Sequence, residues 1–206
     1  MEGLGRTEKF RLITGSVMPR PIALVTTLNG NDSCNAAPFS AFNYVSDDPP
    51  LLAIGFDRYG DENHRPGDAK DTLANILARD TFVVNMVDEA LLETAVACAT
   101  DYPASVSETE ALALELAPSL AVDVPRLAAA PIAWECRKHT ILDVSATRTV
   151  MLGQIEAMYF RDDLLDSTAL RVNAEKFHPM GRMGGARYAH TREFVTVPLR
   201  PFRVRE

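Results

Sequence analysis

Residues 21–56, PIALVTTLNGNDSCNAAPFSAFNYVSDDPPLLAIGF, decide the fold of this chain. PIALVTTL (21–28) is rich in residues that favour strands. Asn29-Gly30 follows it, a dipeptide that closes hairpins because both residues tolerate positive φ. CNAAPFSAFNYV (34–45) is extended too, but Pro38 has no N–H to give a ladder, so this run belongs at an edge, a bulge or a loop. Asp47-Asp48-Pro49-Pro50 turns the chain, and LLAIGF (51–56) has the unbroken apolar character of a buried strand.

Outward from that stretch, 57–70 is polar and glycine-bearing and reads as a loop. A helix is predicted over 71–79, with Leu73, Ile76 and Leu77 on its apolar face and Asp68 or Asp71 as its cap. TFVVNMV (81–87) returns to strand. Asp88 then caps a second helix with Leu91, Leu92, Ala95, Val96 and Ala99 facing inward. The Ala/Leu/Glu-rich run 106–117 predicts a further helix. Strands are expected at 130–138, 140–146 and 149–160, the last long enough to bend around a barrel. An irregular segment over 170–194 precedes a short terminal strand at 194–204. Helices fall between strands without strict alternation, so the expectation is an α+β, mainly β single domain over 1–206, built on a small barrel with peripheral helices.

Composition narrows the partners. Of 206 residues, 47% are apolar and 24% charged, an ordinary globular balance. The net charge of −7 repels nucleic acid and anionic membranes, so neither is expected as a partner. A phosphate ligand would need a local basic patch set against that field. MEGLGRTEKF has no signal-peptide core, and no window approaches 18 consecutive apolar residues, so no membrane span is expected. Cys34, Cys98 and Cys136 are odd in number and form no CxxC, which suits structural thiols in a reducing cytoplasm. His64, His139, His178 and His190 lack ligand spacing, so no metal is expected. Neither a nucleophile elbow nor a Cys/His pairing marks a catalytic side chain.

Three stretches could carry chemistry. RPGDAKDT (65–72) sets Arg65, Lys70 and Thr72 around a helix start, where free amides and the positive dipole end attract anions. The same residues would serve as a solvated capping turn. Asn35, Ser40 and Asn43, among small and apolar neighbours, could offer donors to a planar heterocycle, or complete a turn and a strand edge. GRMGGAR (181–187) lacks the G-x-G-x-x-G spacing and a preceding strand, which rules out a Rossmann site. Arg182, Arg187 and Tyr188 could face an anionic or aromatic ligand, or form a surface loop.

The ordered series RPIALVTT (20–27), NAAPFSAFNYVSDDPP (35–50), RPGDAKDTLANI (65–76), FVVN (82–85) and HPMGRMGGARY (178–188) resembles the flavin-reductase-like, FMN-binding split-barrel family, in its DIM6/NTAB branch. The resemblance spans roughly residues 10–190. It implies a Greek-key split β-barrel that forms a homodimer, with FMN in a groove near the subunit interface. Lys70 and Thr72 would grip the phosphate, with Arg65 nearby. Thr26, Thr27 and Asn35 would contact the ribityl chain or ring, while Ala37, Pro38, Phe39 and Ser40 would line the isoalloxazine. Asn43 would stand behind them, and His178, Arg182 and Tyr188 would touch FMN or help close the dimer. The implied activity is an NAD(P)H:flavin reductase, with NADH or NADPH as co-substrate and no protein nucleophile. The resemblance leaves open a flavoredoxin-like carrier that holds FMN and serves a redox partner protein, or a non-enzymatic FMN-binding module. The Gly-Asp-His element that many flavin reductases carry for the nicotinamide does not occur in the chain.

Overall fold

A computed structural model describes residues 1–59, 68–100, 102–103 and 106–198. The chain opens with α1 (Arg6–Ser16), then β1 (Ala23–Leu28), β2 (Cys34–Phe39), β3 (Phe42–Asp47) and β4 (Pro50–Asp57). Next come α2 (Asp71–Arg79), β5 (Thr81–Met86), α3 (Leu92–Ala97) and α4 (Glu108–Ala111), and the two-residue strands β6 (Leu116–Ala117) and β7 (Arg126–Leu127). The long strands β8 (Ile132–Ser145) and β9 (Arg148–Phe160) follow, and β10 (Leu165–Asp166), β11 (Arg171–Val172), β12 (Gly181–Arg182) and β13 (Tyr188–Ala189) complete the order. No helix among the described residues is long and apolar enough to cross a membrane.

The main sheet runs β2-β1-β5-β8-β9-β4-β3, with every neighbouring pair antiparallel. Its outermost strands, β2 and β3, are consecutive in sequence and separated only by Ser40 and Ala41. So short a link forces the sheet to roll until its two ends meet. At that corner Gly55 N donates to Ala41 O at 2.7 Å, and the Phe39 ring meets Phe56 of β4 edge-on at 4.8 Å. The result is the split barrel that the sequence led us to expect.

Strand alternation sorts the core into two layers. Ala23, Val25, Leu52, Ile54, Phe82 and Val84 fill the barrel, and Leu73 and Ile76 of α2 plug it. Leu24, Val83 and Ala36 point the other way, into a second cluster under α3 and the 112–130 segment. Cys34, Cys98 and Cys136 are buried free thiols, and burial pushes Cys34 and Cys98 up to about 12, the behaviour of structural cysteines.

Several expectations change. The 130–138 and 140–146 strands are one strand, β8, whose register against β9 shifts between Lys138 and Thr140, so His139 is a bulge rather than a break. The 106–117 run is helical only at Glu108–Ala111, because Ala113 takes φ 49° and Leu112 and Leu114 turn into the second cluster. Asp88 caps one step ahead of α3, accepting from Leu91 N at 3.1 Å. That short helix buries Ala95 and leaves Val96 exposed. Residues 191–198 carry no strand, and 199–204 lie outside the described residues.

Candidate functional site

β2 is the spine of the site. Its alternation sends Asn35, Ala37 and Phe39 toward the barrel side and Ala36 and Pro38 toward the second cluster, as the clusters of Phe39 and Ala36 record. At its first end, Asn35 meets Thr27 of β1 and Thr72 of α2. The Asn35 amide lies 3.0 Å from Thr72 Oγ1. In the orientation that satisfies all its neighbours, its oxygen accepts from that hydroxyl and its nitrogen donates to Glu108 Oε2 at 3.2 Å. Asn75 Nδ2 donates to Thr27 Oγ1 at 3.0 Å and to Asn29 Oδ1 at 2.8 Å. Thr27, Asn35 and Thr72 are all buried. Burial, and then the Asp71 charge, raises the Glu108 carboxyl above the ordinary range, while the Ala36 N–H pulls it back.

The N-terminus of α2 lies beside this cluster. Its N-cap is Lys70, in place of the expected Asp68 or Asp71, and the lysine side chain makes no capping hydrogen bond. The first amides therefore lack a side-chain acceptor at the cap. The Lys70 side chain is exposed, with its ammonium 5.7 Å from the Tyr59 ring centroid. An exposed ammonium and the first amides of a helix, set beside a buried Thr/Asn cluster, suit a phosphate. Arg65 lies outside the described residues.

At the other end of β2 is a pocket of about 180 Å³. Pro38, Phe39 and Ser40 form one wall, and Arg182 and Tyr188 of the β12–β13 hairpin form another. Ile22, Ala95 and Ala99 line the rest. Arg182 donates to Tyr188 Oη and lies over that ring, 4.5 Å from its centroid. The hairpin is held against the start of the chain by paired backbone bonds, Arg20 N to Arg182 O at 3.0 Å and Arg182 N to Arg20 O at 2.8 Å. Gly181 permits this approach, since a Cβ there would sit 2.5 Å from Pro19 Cβ.

The sequence candidates thus divide. Thr27, Asn35, Lys70 and Thr72 gather at one end of β2, and Pro38, Phe39, Ser40, Arg182 and Tyr188 at the other, with Ala37 between them. The strand is roughly 17 Å long at about 3.3 Å per residue. Thr26 points away from both, donating to Pro125 O at 2.8 Å on the opposite face. Asn43 is exposed on β3 and accepts from Tyr44 N at 3.0 Å, so it backs neither group. His178 buries a ring Nδ1 that has no hydrogen-bond partner among the described residues. Sequence reasoning missed Asn75 and Glu108, which finish the first group, and Arg20, which braces the second. Asn75 stands inside the RPGDAKDTLANI stretch and Arg20 opens RPIALVTT, yet only tertiary contacts single them out.

Residues 14–181 match the flavin reductase like domain, and the chain belongs to that family. It is 49% identical to the Pseudomonas fluorescens 2-nitrobenzoate 2-nitroreductase NbaA, with a TM-score of 0.89 over 98% of this chain and 95% of that one. Nitrilotriacetate monooxygenase component B from Bacillus cereus superposes with a TM-score of 0.86 at 28% identity, covering 95% of each chain. The Bacillus subtilis protein YwrF is 33% identical, covering 96% of each chain.

Proposed function

We propose that this chain is a cytoplasmic, homodimeric FMN-dependent oxidoreductase that draws electrons from NADH or NADPH and delivers them to a small acceptor. The observation that carries this reading is the donor set at the first end of β2. Lys70 and the first amides of α2 offer charge and N–H groups to a phosphate. The Thr27, Asn35, Thr72 and Asn75 cluster lies alongside. Pro38, Phe39 and Ser40 wall the pocket at the far end of the strand, where a flat ring would lie, with Ala37 between it and the phosphate site. FMN, when bound, supplies hydride acceptance from the nicotinamide and onward electron transfer, which removes the need for a protein nucleophile. The chain's own part is to fix the phosphate, hold the ring plane and limit solvent. Support for a homodimer comes from α1, which buries none of its residues and exposes Phe10, Leu12 and Ile13, with Val17 exposed just beyond it.

The family description favours free flavin as the acceptor. The 49% identity to a 2-nitrobenzoate reductase favours a second reading, in which a nitroaromatic takes the electrons. Anaerobic titration separates the cases. Purified protein loaded with FMN is expected to bleach on adding NADH or NADPH and to turn over with added flavin or 2-nitrobenzoate. Bleaching by dithionite alone would point to an electron carrier. Failure to take up FMN at all would end the proposal.

A further inference from the structure

One carboxylate stands behind the phosphate end of β2. Glu108, the first residue of α4, accepts from Ala36 N at 3.1 Å and lies 3.2 Å from one end of the Asn35 side-chain amide. The other end of that amide lies 3.0 Å from Oγ1 of Thr72, the second residue of α2. Glu108, Asn35 and Thr72 thus form one chain of polar contacts that runs from α4 through β2 to the start of α2.

A side-chain amide donates at one end and accepts at the other, so its orientation has to match the protons on both sides. Ionised Glu108 can only accept. The Asn35 nitrogen then faces it, and the Asn35 oxygen takes the Thr72 hydroxyl proton at 3.0 Å. Protonated Glu108 can donate. The Asn35 oxygen then faces it, and the nitrogen donates to Thr72 Oγ1 at 3.0 Å and to Thr27 Oγ1 at 3.3 Å. The two arrangements share the same atom positions and differ by a half-turn of the amide. They also differ in what Thr72 offers. In the first its single hydroxyl proton is spent on Asn35, and in the second that proton is free for an anion at the helix start.

The surroundings bring both forms of Glu108 within reach. Burial, and then the like charge of Asp71 on α2, favours the neutral carboxyl, whereas the Ala36 N–H favours the charged one. Cys34 of β2 and Cys98 at the end of α3 face it as neutral thiols, both pushed up to about 12. Lys70, next to Asp71, holds its ammonium 5.7 Å from the Tyr59 ring centroid.

We propose that Glu108 is a positioning residue that sets, through the Asn35 amide, whether Thr72 donates to the flavin phosphate. The proposal deepens the FMN reading and rests on it for the ligand; the coupling of Glu108 to Asn35 and Thr72 stands without it. Protonation of Glu108 frees the Thr72 proton and removes a negative charge from beside an anion site, so both effects tighten binding at lower pH. By linkage, a bound phosphate favours the protonated carboxyl.

The test measures FMN and riboflavin affinities by fluorescence titration from about pH 5 to about pH 8, a span that brackets a raised carboxylate. The proteins are the natural chain, Glu108→Gln, Thr72→Val and the double variant. Glutamine keeps a donor for the Asn35 oxygen and cannot ionise. Titration of the ligand's own phosphate, at about pH 6, is common to all four and cancels in their ratios. Glu108→Gln is expected to bind FMN roughly tenfold more tightly than the natural chain at the alkaline end, with the gap closing toward the acid end. Riboflavin should show no such gap, and on the Thr72→Val background most of it should vanish. A ratio that ignores pH, an equal gap for riboflavin, or a full gap without the Thr72 hydroxyl each overturns the proposal. In the FMN-free natural chain, the Asn35 side-chain amide resonances should titrate together with the Glu108 carboxyl by NMR. Separate midpoints overturn it independently of any variant. Joint titration in a protein that takes no FMN would sustain the coupling while ending the FMN reading.

Discussion

Lys70 is the N-cap of α2, yet its side chain leaves the helix and extends past Tyr59. Lys70→Ala should weaken FMN binding by about 1.5–3 kcal/mol, the range for a charge-assisted hydrogen bond, or roughly tenfold to a hundredfold in Kd by fluorescence titration. An unchanged Kd would remove Lys70 from the site. At this scale the sequence was partly legible. Asn35 and Thr72 were both singled out as candidates from separate stretches, and the fold brings them to 3.0 Å of each other. Thr26 and Thr27 show the limit: alternation puts them on opposite faces, but nothing in TT says which face carries polar partners. Arg20 was opaque for another reason, since its contact with Met183 O spans 163 positions.

At the level of elements, local chemistry decided what could be read. β1, β4, α2 and β5 announce themselves by apolar run, turn residues and helical spacing, and their bounds agree closely with the sequence reading. The 106–117 segment misleads because helix propensity is worth only tenths of a kcal/mol per residue, and burying Leu112 and Leu114 outweighs it. The long pair β8–β9 adds a constraint invisible in sequence. Gly153 lies inside the barrel where a Cβ would run into the buried Phe82 ring, meeting Cε1 at 3.1 Å. Gly153→Ala should therefore lower stability by about 1–3 kcal/mol, the cost of overpacking a filled core, read as a lower denaturation midpoint at unchanged m. A neutral result would show that Phe82 has room to shift.

For the whole molecule, the long 149–160 run already suggested a small barrel, but its Greek-key closure came from the family resemblance, since pairing between β9 and β4 joins segments about a hundred positions apart. The proposed homodimer would use α1, whose 11 residues include none that are buried. Replacing Phe10 and Ile13 with glutamate should convert a dimer into a 22.6 kDa monomer in light scattering, with the barrel's circular dichroism retained. A mass that is the same before and after substitution would move the subunit contact elsewhere.

The free edge of β2 faces away from β1 at positions 34, 36 and 38. Ser107 and Thr109 donate to Cys34 O at 2.5 and 2.8 Å, Glu108 takes the Ala36 N–H at 3.1 Å, and Pro38 has no N–H to present. An incoming strand from another molecule consequently finds no row of open backbone groups to copy. The α4 segment and its N-cap thus cover a seam along which copies of the chain would otherwise be able to add as strands. Replacing Ser107 with alanine and Thr109 with valine should uncover Cys34 O and raise turbidity and thioflavin binding on gentle warming. Clear solutions from that variant would show that Glu108 and Pro38 guard the seam by themselves.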